Sequence, residues 1–184
     1  WADNSGPYYV LYASAAAPGS SWTTAAVLRV GSNPEGPFNI AVDSNDGLHI
    51  VWSGDDAAGA GSTRIRYSSR TANGAWKTYV GVNDDGKEAA SPALAVDAQN
   101  GLHIVVRRAN AVSTESTQII SYSSRTQGTD WGAWTDIYDS AFYNQSAPSL
   151  TIKPDGTLFA AWSAPDGTYS DSQARYAQAP AGGA

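Results

Sequence analysis

Phe38 to Asp43 alternates apolar with small or polar side chains, the period-two pattern of a half-buried strand. Ser44-Asn45-Asp46-Gly47 supplies hairpin-turn chemistry, and Leu48 to Trp52 follows as an apolar, β-branched run. A Gly- and Asp-rich loop from Gly54 to Ser62 leads into Arg64-Ile65-Arg66-Tyr67, which alternates out and in. A turn at Ala72-Asn73-Gly74 then precedes a fourth predicted strand, Trp76 to Val82. Nowhere do apolar residues recur at helical spacing over three turns, so no helix of consequence is predicted.

The same order of elements returns. Pro37 to Trp52 has counterparts in Pro92 to Val106 and Pro148 to Trp162, about 55 residues apart each time. Tyr12, Tyr67, Tyr122 and Tyr176 keep that period, and Trp22, Trp76 and Trp131 each follow a tyrosine by about ten residues. Four antiparallel strands per unit with a Trp or Tyr signature describe a β-propeller blade, and a lone blade cannot bury both faces. The fold class is therefore all-β, a propeller of four-stranded antiparallel blades of about 55 residues, about three of them in this chain. The repeated Tyr and Trp residues are expected to pack between blades. Residues 1–36 read as the second half of a blade, 37–90 and 91–146 as full blades, and 147–179 as the first three strands of another. Residues 180–184 read as a tail or linker. Trp1 resembles Trp52 and Trp162 in its context and is expected to close a second strand. More chain or a second copy would then complete the ring.

Composition narrows the function classes. Of 184 residues 17 are acidic and 11 basic, a formal charge of −6, which argues against a nucleic-acid partner. No apolar run approaches the ~18–20 residues of a membrane span. Cys is 0, which removes disulfides and thiolate chemistry. Met is also 0 and Trp stands first, so a processed product or an excerpt is expected.

Ala41 to Trp52, Ile65-Arg66-Tyr67-Ser68-Ser69 and Trp76 resemble the BNR or Asp-box repeat of sialidase-like propellers. In that repeat Ser, Asp, Gly and an aromatic occupy a tight turn. Ser69 with Trp76, and Ser124 with Gly128 and Trp131, match it, while Thr71 and Thr126 replace the Asp. The resemblance covers nearly the whole chain and implies the propeller architecture rather than an activity. Catalytic sialidases carry three carboxylate-gripping arginines, a Tyr–Glu pair and an acid/base Asp. Here Glu35, Glu88 and Glu115 adjoin no tyrosine in a recognisable motif, so no catalytic residue is carried over.

Residues that break the repeat are the better candidates for function. Arg107 and Arg108 replace Ser53-Gly54 and Ser163-Ala164 at the exit of a second strand, on the face that also receives Phe142 and Tyr143. Guanidiniums beside aromatic rings suit an anionic or polyhydroxylated ligand, and pairing of the arginines with Asp84, Asp85 or Glu115 is the alternative. Trp131 and Trp134 share an expanded turn, where one ring is expected either to stack on sugar or to pack under the loop. Arg70 and Arg125 are expected to form salt bridges to the neighbouring blade. His49 and His103 stand too far apart for a shared metal, so polar partners within each blade are expected. Asn83-Asp84-Asp85-Gly86 is a Ca²⁺ candidate through Asp84 and Asp85, with a solvated loop as the alternative; no other cofactor is expected. Asn144-Gln145-Ser146 is a glycosylation sequon in a eukaryotic secretory host.

Three readings follow. The first is a lectin-like extracellular module, or one on a cell or virion surface, that binds carbohydrate through loops on one face. The second is a piece of a sialidase-like hydrolase or polysaccharide lyase. The third is a structural propeller scaffold in a surface appendage or virion.

Overall fold

The computed structural model describes residues 9–23, 26–29, 34–55, 63–82, 85–109, 118–138, 147–165 and 172–180. Strands β1 (Tyr9–Tyr12) and β2 (Ala26–Arg29) pair as a two-stranded sheet. The second sheet runs in order β3 (Pro34–Val42), β4 (Leu48–Asp55), β5 (Thr63–Arg70) and β6 (Val80–Gly81). The third repeats it with β7 (Ala89–Val96), β8 (Leu102–Ala109), β9 (Gln118–Arg125) and β10 (Thr135–Tyr138). The fourth holds β11 (Ser149–Ile152), β12 (Leu158–Pro165) and β13 (Ser172–Ala179). Every pairing is antiparallel between chain neighbours, so each sheet is a meander. Among the described residues no helix is long and apolar enough to cross a membrane.

The first turn of the second, third and fourth sheets follows from its residues. The Asp43 carboxylate accepts N–H bonds from Asn45 (2.8 Å) and Gly47 (2.7 Å), and Asp97 does the same for Gln99 (2.8 Å) and Gly101 (2.7 Å). Asp46 (φ 58°), Asn100 (φ 63°) and Gly156 (φ 85°) take the left-handed conformation, which these residue types adopt at least cost. A Cβ on Gly101 would strike the Asp97 carboxylate, so the turn needs glycine there.

The fourth strand is shorter than the sequence predicts. Instead of Trp76 to Val82, only Val80–Gly81 joins the ladder. Lys77 is tied to β5 at two points, its N–H donating to Ser69 (2.9 Å) and its carbonyl accepting from the Ser68 hydroxyl (2.6 Å). Gly132 is tied to Ser124 (2.8 Å) and Ser123 (2.7 Å) in the same way.

The core lies between sheets. Val10, Ile50 and Trp52 fill the first joint, and Val51, Tyr67, Leu94 and Ile104 are among those filling the second. Val105, Ile120, Ala160 and Trp162 fill the third. Ile50 and Val51, adjacent on β4, thus serve opposite joints, which is why the second strands read as unbroken apolar runs. Val51, Ile104, Val105 and Ile120 are fully buried, each worth roughly 1.5–3 kcal/mol. The second sheet's β4 also bonds across the joint, its Ser53 hydroxyl accepting from the N–H of Ser91 (3.0 Å), a residue at φ 55° within the β7 bulge.

Candidate functional site

The first-turn aspartates reach a second partner through their other oxygen. His49 on β4 lies 3.0 Å from Asp43 Oδ2 through Nε2 and 2.7 Å from the Tyr67 hydroxyl through Nδ1. His103 on β8 repeats this with Asp97 (3.0 Å) and Tyr122 (2.8 Å). Each imidazole also stacks on its tyrosine, with centroids 6.0 and 6.1 Å apart. Burial pushes both phenols up, so they stay protonated. Burial would also raise the two aspartates, but hydrogen bonds from histidine and from the turn N–H groups outweigh it and hold both carboxyls low. With neutral imidazole, the phenol O–H donates to Nδ1 and Nε2–H donates to the carboxylate. The polar partners expected for the histidines are thus an Asp and a Tyr of the same sheet. In the fourth sheet Lys153 and Phe159 take the Asp and His places, and the ammonium sits 4.9 Å over the ring.

One of these relays borders solvent. A polar pocket of about 110 Å³ opens between the β7–β8 and β11–β12 turns, lined by Asp97, Gln99, His103 and the Pro154–Gly156 turn. Asp155 is exposed, and its carboxyl is held low by the Thr157 N–H and hydroxyl. The pocket thus combines carboxylate acceptors, an imidazole edge and a free side-chain amide. That set matches the hydroxyls of a polyol. Among the described residues no group of three or more His, Cys, Asp or Glu could hold a metal ion.

Neither a protein-family model nor a curated protein sequence matches the chain. Among solved structures, an endo-arabinase from Bacteroides thetaiotaomicron VPI-5482 matches with a TM-score of 0.52. The match covers 97% of this chain and 72% of that one at 11% identity, which shows the fold alone. The chain is built of β-propeller blades.

Across that propeller the sequence-derived candidates divide. Arg108 is 3% exposed, ion-paired with Asp85, 3.6 Å from Asp136, 3.4 Å from the Ser121 hydroxyl and 5.2 Å over the Trp134 ring. Burial lowers its pKa and the two carboxylates counter that. It is a buried cation within the joint, and pairing with Asp85, the alternative to a ligand contact, is the one observed. The same pair engages the Asp85 carboxylate that the Ca²⁺ reading would use. Arg107 is half-buried on the opposite face of β8. Trp131 and Trp134 are both partly buried against the second joint. Phe142, Tyr143, Asp84, Glu115, Asn144 and Trp1 lie outside the described residues.

The salt bridges expected of Arg70 and Arg125 are replaced by ring contacts. Arg70 lies 4.9 Å over Tyr12 of the preceding blade and 5.8 Å over Trp76. Arg125 lies 5.0 Å over Tyr67 and 5.6 Å over Trp131. The rings themselves meet edge to face, Tyr12 with Trp76 and Tyr67 with Trp131, both at 5.5 Å. Each Tyr–Arg–Trp clasp therefore closes a joint through π faces, because the strand that fronts the arginine offers an aromatic ring where a carboxylate was expected.

Sequence reasoning missed Asp97, Gln99 and Asp155 as pocket residues. The signal was present in the Asp-x-x-x-Gly-Leu-His spacing of 43–49 and 97–103, which puts both ends of a hairpin turn within reach of one another.

Proposed function

We propose that this chain is a glycan-recognising, lectin-like propeller module of the Asp-box type, acting outside the cell or on a cell or virion surface. The observation that carries the reading is the polar, solvent-open pocket at Asp97, Gln99, His103 and Asp155. Asp97 and His103 are fixed by the turn and the relay, and the exposed Gln99 and Asp155 side chains beside them can reach a ligand. The endo-arabinase among its structural neighbours, a carbohydrate-acting enzyme by name, supports the glycan class.

Both carboxyls bordering this pocket are held low and so offer charged acceptors to a ligand's hydroxyls. The test is an NMR titration with neutral and acidic mono- and oligosaccharides, repeated on Gln99→Ala and Asp155→Ala, whose side chains are exposed. Saturable binding that weakens about tenfold in either variant, a loss of about 1.4 kcal/mol, is expected. Silence across the panel, or affinity unchanged in both variants, would overturn the assignment. Appearance of cleaved product would replace it with the hydrolase reading.

A further inference from the structure

The first turns of the second and third sheets are tied to each other across the joint. The Ser44 N–H donates to the Asn100 side-chain oxygen (2.9 Å), a bond between residues 56 positions apart. Asn100 makes it from the left-handed corner of its turn, at φ 63°, and Gly156 holds the same corner in the fourth sheet, at φ 85°. The turn backbones agree: the Asn100 N–H bonds the Asp97 carbonyl (3.0 Å) as the Gly156 N–H bonds that of Lys153 (2.9 Å). Ala98, next after Asp97, is the counterpart of Ser44, next after Asp43. At the third joint the side chain that meets this N–H is missing, because its position is a glycine. Among the described residues none accepts from the Ala98 N–H.

The space left there belongs to the polar pocket of about 110 Å³, whose walls include Ala98 and Gly156 beside Asp97, Gln99, His103 and Asp155. At the second joint, with Trp131 seated on Tyr67, Ser44 and Asn45 are still exposed, so this rim faces solvent where the joint is complete. An exposed N–H left to water is a donor that a ligand can take over. The walls decide which acceptor suits it. The Asp97 and Asp155 carboxylates repel an anionic oxygen, while Lys153 lies over Phe159 and lines no part of the pocket. A carboxamide satisfies both demands: its carbonyl oxygen accepts from Ala98 as that of Asn100 accepts from Ser44, and its N–H donates to a carboxylate.

We propose that this pocket is an acetamido subsite, in which the N-acetyl group of an uncharged amino sugar takes the place that the Asn100 carboxamide holds at the preceding joint. The inference rests on the glycan reading above and narrows it to N-acetylated, neutral sugars. The choice of ligand group rests on the second joint, where the fold itself shows what the turn N–H accepts when the corner residue has a side chain.

The probes are N-acetylglucosamine, glucose and glucuronic acid, titrated by NMR against the backbone amides. N-acetylglucosamine is expected to bind about tenfold more tightly than the other two and to shift the Ala98 amide. Gly156→Asn supplies the missing carboxamide in a conformation asparagine tolerates, and is expected to weaken that binding about tenfold. In the free protein the same variant should slow amide exchange at Ala98 about tenfold, and Asn100→Gly should speed it at Ser44 by a similar factor. Equal binding of the three sugars, an unmoved Ala98 amide, or undiminished binding in Gly156→Asn overturns the inference and leaves the lectin reading standing. Unchanged exchange in either variant overturns the equivalence of the two joints on which the inference depends. Silence of all three sugars overturns it alone if another sugar binds, and overturns both readings if none does.

Discussion

Removing one Arg of a clasp separates a π-face contact from an ion pair. In Arg125→Ala the guanidinium, 5.0 Å from the Tyr67 centroid and 5.6 Å from that of Trp131, is lost from both rings. At a half-buried site each contact is worth about 0.5–1 kcal/mol, so the gross loss is about 1–2 kcal/mol. Freed arginine rotamers return part of that, up to about 1 kcal/mol. The net cost is therefore small, and the informative quantity is the coupling to Trp131. A double-mutant cycle of Arg125→Ala and Trp131→Ala, by urea unfolding at constant m-value, is expected to give about 1 kcal/mol. Repeating it in 1 M NaCl, where the Debye length falls to about 3 Å, should leave the coupling nearly intact. Ion pairing would be largely screened there. Coupling below about 0.3 kcal/mol, or its disappearance in salt, would refute the clasp as described.

Two further expectations concern the relay and the bulge. Asp43 and Asp97 have folded pKa values below the unfolded carboxylate's, so the stability they add is full above pH ~4 and lost as pH falls through the folded value. Asp97→Asn should therefore flatten the acid limb of the stability–pH curve and cost about 1–3 kcal/mol at pH 7; an unchanged acid limb would contradict the relay. Ser53→Ala strips the acceptor from the buried Ser91 N–H and should cost about 1–3 kcal/mol, with faster amide exchange at Ser91. A change below about 0.5 kcal/mol would mean that this N–H finds another acceptor.

Local chemistry determined most of the scaffold. Alternation at 38–43, the Asp–Gly turns and the Tyr and Trp period predict strands, hairpins and a stack of like sheets, because each depends on residues within one hairpin or on the repetition of one unit. The sheets themselves follow that reading, with the fourth strand cut short where hydroxyl ties at Ser68 and Ser123 replace ladder bonds, but Trp22 and Tyr176, expected between blades, are exposed. The candidate site was far less legible. Arg108 breaks the repeat as a ligand contact would, yet the joint buries it against Asp85, which lies 23 positions away. Arg125 promised a carboxylate and met Tyr67, since only the stacking of blades decides which side chain fronts it. The pocket arises where turns from two blades converge. Each of these depends on side chains brought together across a joint, and a pattern read along the strand records which face a residue occupies but not what that face meets.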